Sequence, residues 1–96
     1  MENLYKQHHD TVSYLNDLYI QKNKRYGNSF DISLDTFGLI AGVVRIGDKY
    51  NRLTTLTKGE LTELDESLKD TLLDMANYCI MSAMWLERKK ADTLNE

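Results

Sequence analysis

The sequence has no proline, a single cysteine and only five glycines in 96 residues. Without proline there is no strong helix breaker and no proline-dependent cis peptide bond, so long uninterrupted helices are permitted. With Cys79 alone, no disulfide can close within the chain, and the thiol is expected to serve as a buried structural group. The longest apolar run, residues 37–44, contains two glycines and stops at Arg45. It falls far short of the ~20 residues that span a bilayer. Nothing at the N-terminus has the order of a secretory signal. These absences imply a soluble protein of a reducing cytoplasm, with no membrane partner. Neither charge sign dominates: 12 basic residues stand against 15 acidic ones, for a net charge of −3. That balance argues against nucleic-acid binding through the whole surface, although a local basic patch is compatible with it.

What is present is helix-forming sequence with a 3.6-residue apolar rhythm, which predicts an all-α fold. Residues 1–96 read as a single domain with helices over about 3–24, 33–56 and 62–90 and a polar tail at 91–96. Leu4, His8, Val12, Leu15, Tyr19 and Lys22 form the stripe of the first helix. The segment 26–33 reads as a loop in which Gly27 and Asn28 can adopt left-handed backbone, with Asp31 or Ser33 capping the second helix. Leu39, Ile40, Val43, Ile46, Tyr50 and Leu53 form the apolar face of that helix. The small residues Gly38, Ala41 and Gly42 allow another helix or a ligand to come close. Residues 57–60 give the second turn.

The third helix carries two apolar faces where one would suffice. Leu61, Leu64, Leu68, Leu72, Met75, Cys79 and Leu86 make a core stripe, opposite a row of Glu63, Glu66, Asp70, Asp74 and Asn77. That same arc is continued by Leu73, Ile80, Met81 and Met84 instead of polar residues. Three helices cannot bury such a surface, and a chain of this size hides only about 60–65% of its unfolded surface. A bundle of three main helices, completed by homo-oligomerisation into a four-helix-bundle-like or larger assembly, is therefore expected. Ile80, Met81, Met84 and Trp85 are the expected interface.

Two charged constellations carry chemistry. Glu66, Asp70 and Asp74 are successive i, i+4 neighbours and, with Asp48, offer hard oxygen ligands for magnesium. The other reading of the row is a solvated face that favours the helix dipole, and Glu63 and Glu66 fit it better than Asp70 and Asp74. Arg45, Asp48, Lys49 and Arg52 form a stripe at i, i+3, i+4, i+7. Its cations suit phosphate, while Asp48 could equally pair with them along the helix. Asp70, Asp74 and Asn77 are expected to face that stripe, in the same chain or in another subunit. Lys22, Lys24, Arg25 and Tyr26 add charge and a ring beside the glycine turn, suited to a phosphate or a base as well as to a helix C-terminus. His8 and His9 diverge by ~100° and make no zinc pair. No nucleophilic triad or glycine-rich phosphate loop is present.

Three ordered blocks carry a family resemblance: Lys24-Arg25-Tyr26-Gly27-Asn28-Ser29-Phe30, Val44 to Leu53 with its Arg-Ile-Gly-Asp-Lys-Tyr-Asn-Arg centre, and Asp70 to Tyr78. Together they resemble the nucleotide modification associated domain family, which is common in phages and prophages. That family is in turn similar to MazG-like all-α nucleotide pyrophosphohydrolases, which hold magnesium on a Glu-Glu-x-x-Glu helix and a following Glu-x-x-Asp helix. This chain departs from the pattern, with only Asp48 among cations in the second helix and Asp70-x-x-x-Asp74 in the third. The resemblance implies a phage-type nucleotide-binding protein acting in nucleotide metabolism or sequestering a nucleotide signal of host defence. Arg45, Lys49 and Arg52 would contact phosphate, with Lys24, Tyr26 and Asn28 near the rest of the nucleotide. Alternatives are a magnesium-dependent nucleoside triphosphate pyrophosphohydrolase and a module that binds a host protein.

Overall fold

Two glycines divide the first half of the chain into three helices. The computed structural model describes residues 1–58 and 61–94, without the side chains of 61–65. Part of the turn expected at 57–60, and the side chains of Leu61, Glu63 and Leu64, therefore lie outside the described residues. Helix α1 spans Glu2–Tyr26, α2 Ser29–Phe37, α3 Ile40–Leu56 and α4 Leu61–Leu94. The fold is all-α, with no strand among the described residues. None of the described helices is long and apolar enough to cross a membrane.

The first break is a two-residue turn. Gly27, at φ 62°, donates its N–H to the Asn23 carbonyl over 2.8 Å, and Asn28 follows at φ 58°. Both are left-handed, as the sequence suggests, but the expected loop to residue 33 is mostly helix. Ser33 does not cap; its hydroxyl donates to the Ser29 carbonyl inside α2. That local bond lets a polar residue sit within a helix. The second break is Gly38, at φ 83° and ψ −169°. This backbone is essentially reserved for glycine, and it splits the helix expected over 33–56 into α2 and α3.

Helices α3 and α4 pack antiparallel. Gly42 lies against Ser82, Lys49 reaches Asp74, and Arg52 reaches Thr71, so rising numbers on one helix meet falling numbers on the other. A Cβ at Gly42 would overlap the Ser82 hydroxyl, so the small residue sets this close approach. Helix α2 folds across the same side of α4, with Leu34 fully buried. Phe30 meets Tyr78 edge-on at 4.9 Å. Trp85 Nε1 donates to Asp35 over 2.9 Å, Arg88 pairs with Asp31 at 3.1 Å, and Lys89 pairs with Asp35 at 3.4 Å. Helix α1 meets the second face of α4, where Asn77 Nδ2 donates to the Leu15 carbonyl over 3.2 Å.

The two apolar faces of α4 thus have different partners. Thr71, Tyr78, Ser82 and Trp85 serve α2 and α3, whereas Leu73, Asn77, Met81 and Met84 serve α1. Several expected core positions do not fit this scheme. Leu4, His8 and Val12 of α1, Ile40, Val43 and Tyr50 of α3, and Leu72, Cys79 and Leu86 of α4 are all exposed. Helix α3 is rotated so that Gly42 and Lys49 share the inward side with Ile46 and Leu53, while Leu39, Ile40, Val43 and Tyr50 are exposed. The polar tail expected from residue 91 continues α4 to Leu94.

The sign of one substitution tests the second break. If Gly38 sat inside a continuous helix, Gly38→Ala would stabilise the protein by about 1 kcal/mol. With the observed backbone, alanine should destabilise by about 1–3 kcal/mol in urea unfolding, even though its methyl group has open space.

Candidate functional site

One face of α1 near its C-terminal end carries Tyr19, Lys22, Asn23 and Tyr26 at i, i+3, i+4, i+7. Beside the Gly27–Asn28 turn this face opens onto α3 and α4, leaving a cleft of about 310 Å³. Tyr19, Tyr26, Phe30 and Tyr78 give it aromatic walls, and Asn23, Asn28 and Asn77 supply amide groups. Four rings around a concave space with a few polar groups suit a flat, partly polar ligand.

The charged centre of the cleft joins three helices. Lys22 of α1 donates to Asp74 Oδ1 over 2.6 Å, and Lys49 of α3 approaches Oδ2 at 3.4 Å. Asp74 and Lys49 are each about three-quarters hidden from solvent. Burial disfavours the Asp74 carboxylate, but hydrogen bonding and charge from Lys22, followed by Lys49, outweigh it and hold its pKa below the ordinary value. Two cations on one anion leave local positive charge.

Next to this cleft runs a groove of about 560 Å³ along α3, lined by Arg45, Asp48, Lys49, Arg52 and Tyr78 among others. Lys49 and Tyr78 line both spaces, which therefore adjoin at these two side chains. Arg52 is tethered through Nε, which donates to the buried Thr71 hydroxyl over 3.3 Å; Thr71 in turn donates to the Ser67 carbonyl over 2.6 Å. The tether steadies the guanidinium through one nitrogen, leaving its terminal pair suited to an anion.

Of the expected nucleotide-contacting residues, Tyr26, Asn28 and Lys49 line the cleft, and Arg45, Lys49 and Arg52 line the groove. Lys24 lines neither space; Lys22, one turn face away, takes the position beside Asp74. The acids do not assemble as a cation site would require. Asp74 spends both oxygens on lysines, while Glu66, Asp48 and Asp70 are exposed. Among the described residues, no three acidic, histidine or cysteine side chains approach closely enough to hold a metal ion. Among the described residues, the donor set therefore does not form a cage for a magnesium ion. Asn77 faces α1, away from the Arg45-to-Arg52 stripe. Ile80, Met81 and Met84 line a groove against Val12 and Leu15 of α1, and Trp85 turns to α2.

In the sequence Tyr19 reads as a packing residue, Lys22 as both a stripe residue and part of the basic group beside the glycine turn, and Phe30 and Tyr78 only as ends of the family blocks. The mixed face Tyr19-Lys22-Asn23-Tyr26 was the available signal, since rings, amides and a cation seldom share a simple core stripe.

Asp74 links the site to stability. A depressed carboxylate pKa stabilises the fold above the ordinary range of about 3.9, and that contribution is lost as pH falls through the lower folded value. Asp74→Asn should lower the melting temperature at neutral pH and reduce the further drop below about pH 4. An acid limb as steep as that of the parent would contradict the lysine pairing. Asp35 retains part of the limb, because bonds from Trp85 and then Lys89 lower its pKa too.

Residues 22–86 match the family described as Nucleotide modification associated domain 1, and the chain belongs to that family. No curated protein and no solved structure matches the chain. The matched segment begins at Lys22 and includes Lys49, Arg52, Asp74 and Tyr78.

Proposed function

We propose that this member of the nucleotide modification associated domain 1 family binds a nucleotide, with the base in the aromatic cleft and phosphate along Arg45, Lys49 and Arg52. The observation that supports this reading is that the aromatic cleft and the cationic groove adjoin at Lys49 and Tyr78. A nucleotide has the matching polarity: a flat ring system at one end and concentrated negative charge at the other. Stacking on an aromatic side chain is worth about 1–3 kcal/mol per base, and forked arginine donors match phosphate oxygens. The family's association with nucleotide modification supports the same ligand class.

Lys49 is the movable element of this site. Its contact with Asp74 is longer than that of Lys22, so a phosphate can draw Lys49 away while Lys22 keeps the carboxylate paired. Asp74 thereby positions cations. Asn23 and Asn28 supply the amides that would orient the base or ribose.

Binding without cleavage fits this donor set better than hydrolysis does. Magnesium-assisted hydrolysis needs carboxylates to hold the metal and orient water. The described acids are dispersed or already paired. The biological setting is nucleotide metabolism or, where the chain is phage-encoded, sequestration of a nucleotide signal used in host defence. The protein would act in the cytoplasm.

Calorimetry with linear and cyclic nucleotides, each with and without magnesium, tests this reading. Binding should occur without metal and weaken about 10-fold or more in Lys49→Ala and Arg52→Ala, the scale of a lost charge-assisted hydrogen bond. Tyr78→Ala should weaken it while sparing the response to phosphate number. Lack of binding at millimolar ligand would overturn the proposal, and magnesium-dependent pyrophosphate release would replace it with hydrolysis.

A further inference from the structure

The inward rows of α3 and α4 fix what lies on either side of their antiparallel pair. Gly42, Lys49, Thr71, Tyr78 and Trp85 face the interior or its edge. The residue one position after each lies ~100° round its helix. These residues are Val43, Tyr50, Leu72, Cys79 and Leu86, and all five are exposed. The residue three positions after Gly42, Lys49 and Thr71 lies ~60° round in the opposite sense. Those residues are Arg45, Arg52 and Asp74, which belong to the cleft and groove. Because the helices are antiparallel, the same rotational sense on both leads to the same side of the pair. One side therefore carries the ligand site and the other a continuous apolar surface.

Exposure along that surface is large for apolar side chains: 54% for Val43, 58% for Tyr50, 53% for Leu72 and 48% for Leu86. Gly47 lies in the same row, with open space where its Cβ would be. We infer that this α3–α4 face, centred on Val43, Tyr50, Leu72, Cys79 and Leu86, is covered by the same face of a second copy of the chain.

The surface area of the whole chain is of the size that a second copy would reduce. The chain exposes 7584 Å², whereas a folded monomer of its mass exposes about 5,700 Å². The surplus is about 1,900 Å² per chain, or about 3,800 Å² for a pair. That lies within the ~2,000–5,000 Å² typical of obligate homodimers. The radius of gyration points the same way, at 15.7 Å against about 12.5 Å for a compact chain of this length. A two-fold pairing also requires a self-complementary surface. An apolar row meets that need, because like rows attract without opposing charges in register. Face-to-face packing of two α3–α4 pairs gives four helices around one apolar centre. The site faces away from this contact, so the second copy leaves it open whatever ligand it takes.

Mass measurement by light scattering, together with the reactivity of Cys79, tests the assignment on the full chain. The parent protein should run at twice 11.2 kDa. Val43→Glu and Leu72→Glu should each return it to monomer mass or leave it unfolded, whereas Val12→Glu on α1 should keep the dimer. Independently of any variant, Cys79 of the native parent should react with a thiol reagent at least 10-fold more slowly than in denaturant, and faster on dilution into the monomer range. A monomeric parent at high concentration would overturn the inference. A dimer whose Cys79 reacts at the unfolded rate would do the same, as would one broken by Val12→Glu but not by Val43→Glu.

Discussion

The Asp74 carboxylate is the point on which the arrangement of the helices depends. Lys22 lies 52 residues before it and Lys49 lies 25 before it, yet both ammonium groups reach its two oxygens. A largely hidden carboxylate would be costly alone, and either lysine would repel the other without it. Together they hold the end of α1 against the α3–α4 pair, where apolar packing is thin. The same contacts place Tyr19 and Tyr26 opposite Tyr78, so the element that holds α1 also shapes the cleft.

Around that point, α3 and α4 divide their circumference by chemistry. Inward positions favour close approach, as at Gly42 and Ser82, or polar tethers, as at Arg52 and Thr71. One flank gathers cations and the open end of the aromatic cleft, while the opposite flank gathers exposed aliphatic residues. Such a division would let a short chain place the proposed ligand site and the proposed association surface on two helices without one obstructing the other. Membership of a family associated with nucleotide modification and the charge pattern of the first flank both support the proposed ligand class.

The sequence made some of this legible. Helical periodicity without proline gave the all-α class, Gly27 and Asn28 marked their turn, and the Arg45-Lys49-Arg52 spacing located a cationic stripe. Gly38 was hard to read because one glycine in an apolar run costs a helix only about 1 kcal/mol, so periodicity continues across it. The orientation of α3 was harder still. A hydrophobic stripe shows that a face seeks cover but not which neighbour supplies it, and here glycine and lysine face inward while Ile40, Val43 and Tyr50 face out. Cys79 follows the same logic, on a clean stripe that α1, α2 and α3 leave uncovered. Tyr19 resembles a packing residue, and Lys22 fits both a stripe and a basic group, because long amphipathic side chains satisfy a helical stripe and line a cleft equally well.

The central claim is that aromatic cleft and cationic groove form one ligand site hinged on Lys49. Chemical-shift mapping by NMR during titration with a nucleoside monophosphate tests it most directly. The account predicts that Tyr19, Tyr26 and Tyr78 respond together with Arg45, Lys49 and Arg52, all along one saturation curve. Shifts confined to one of the two groups, or centred on the Val12–Met84 groove, would contradict it.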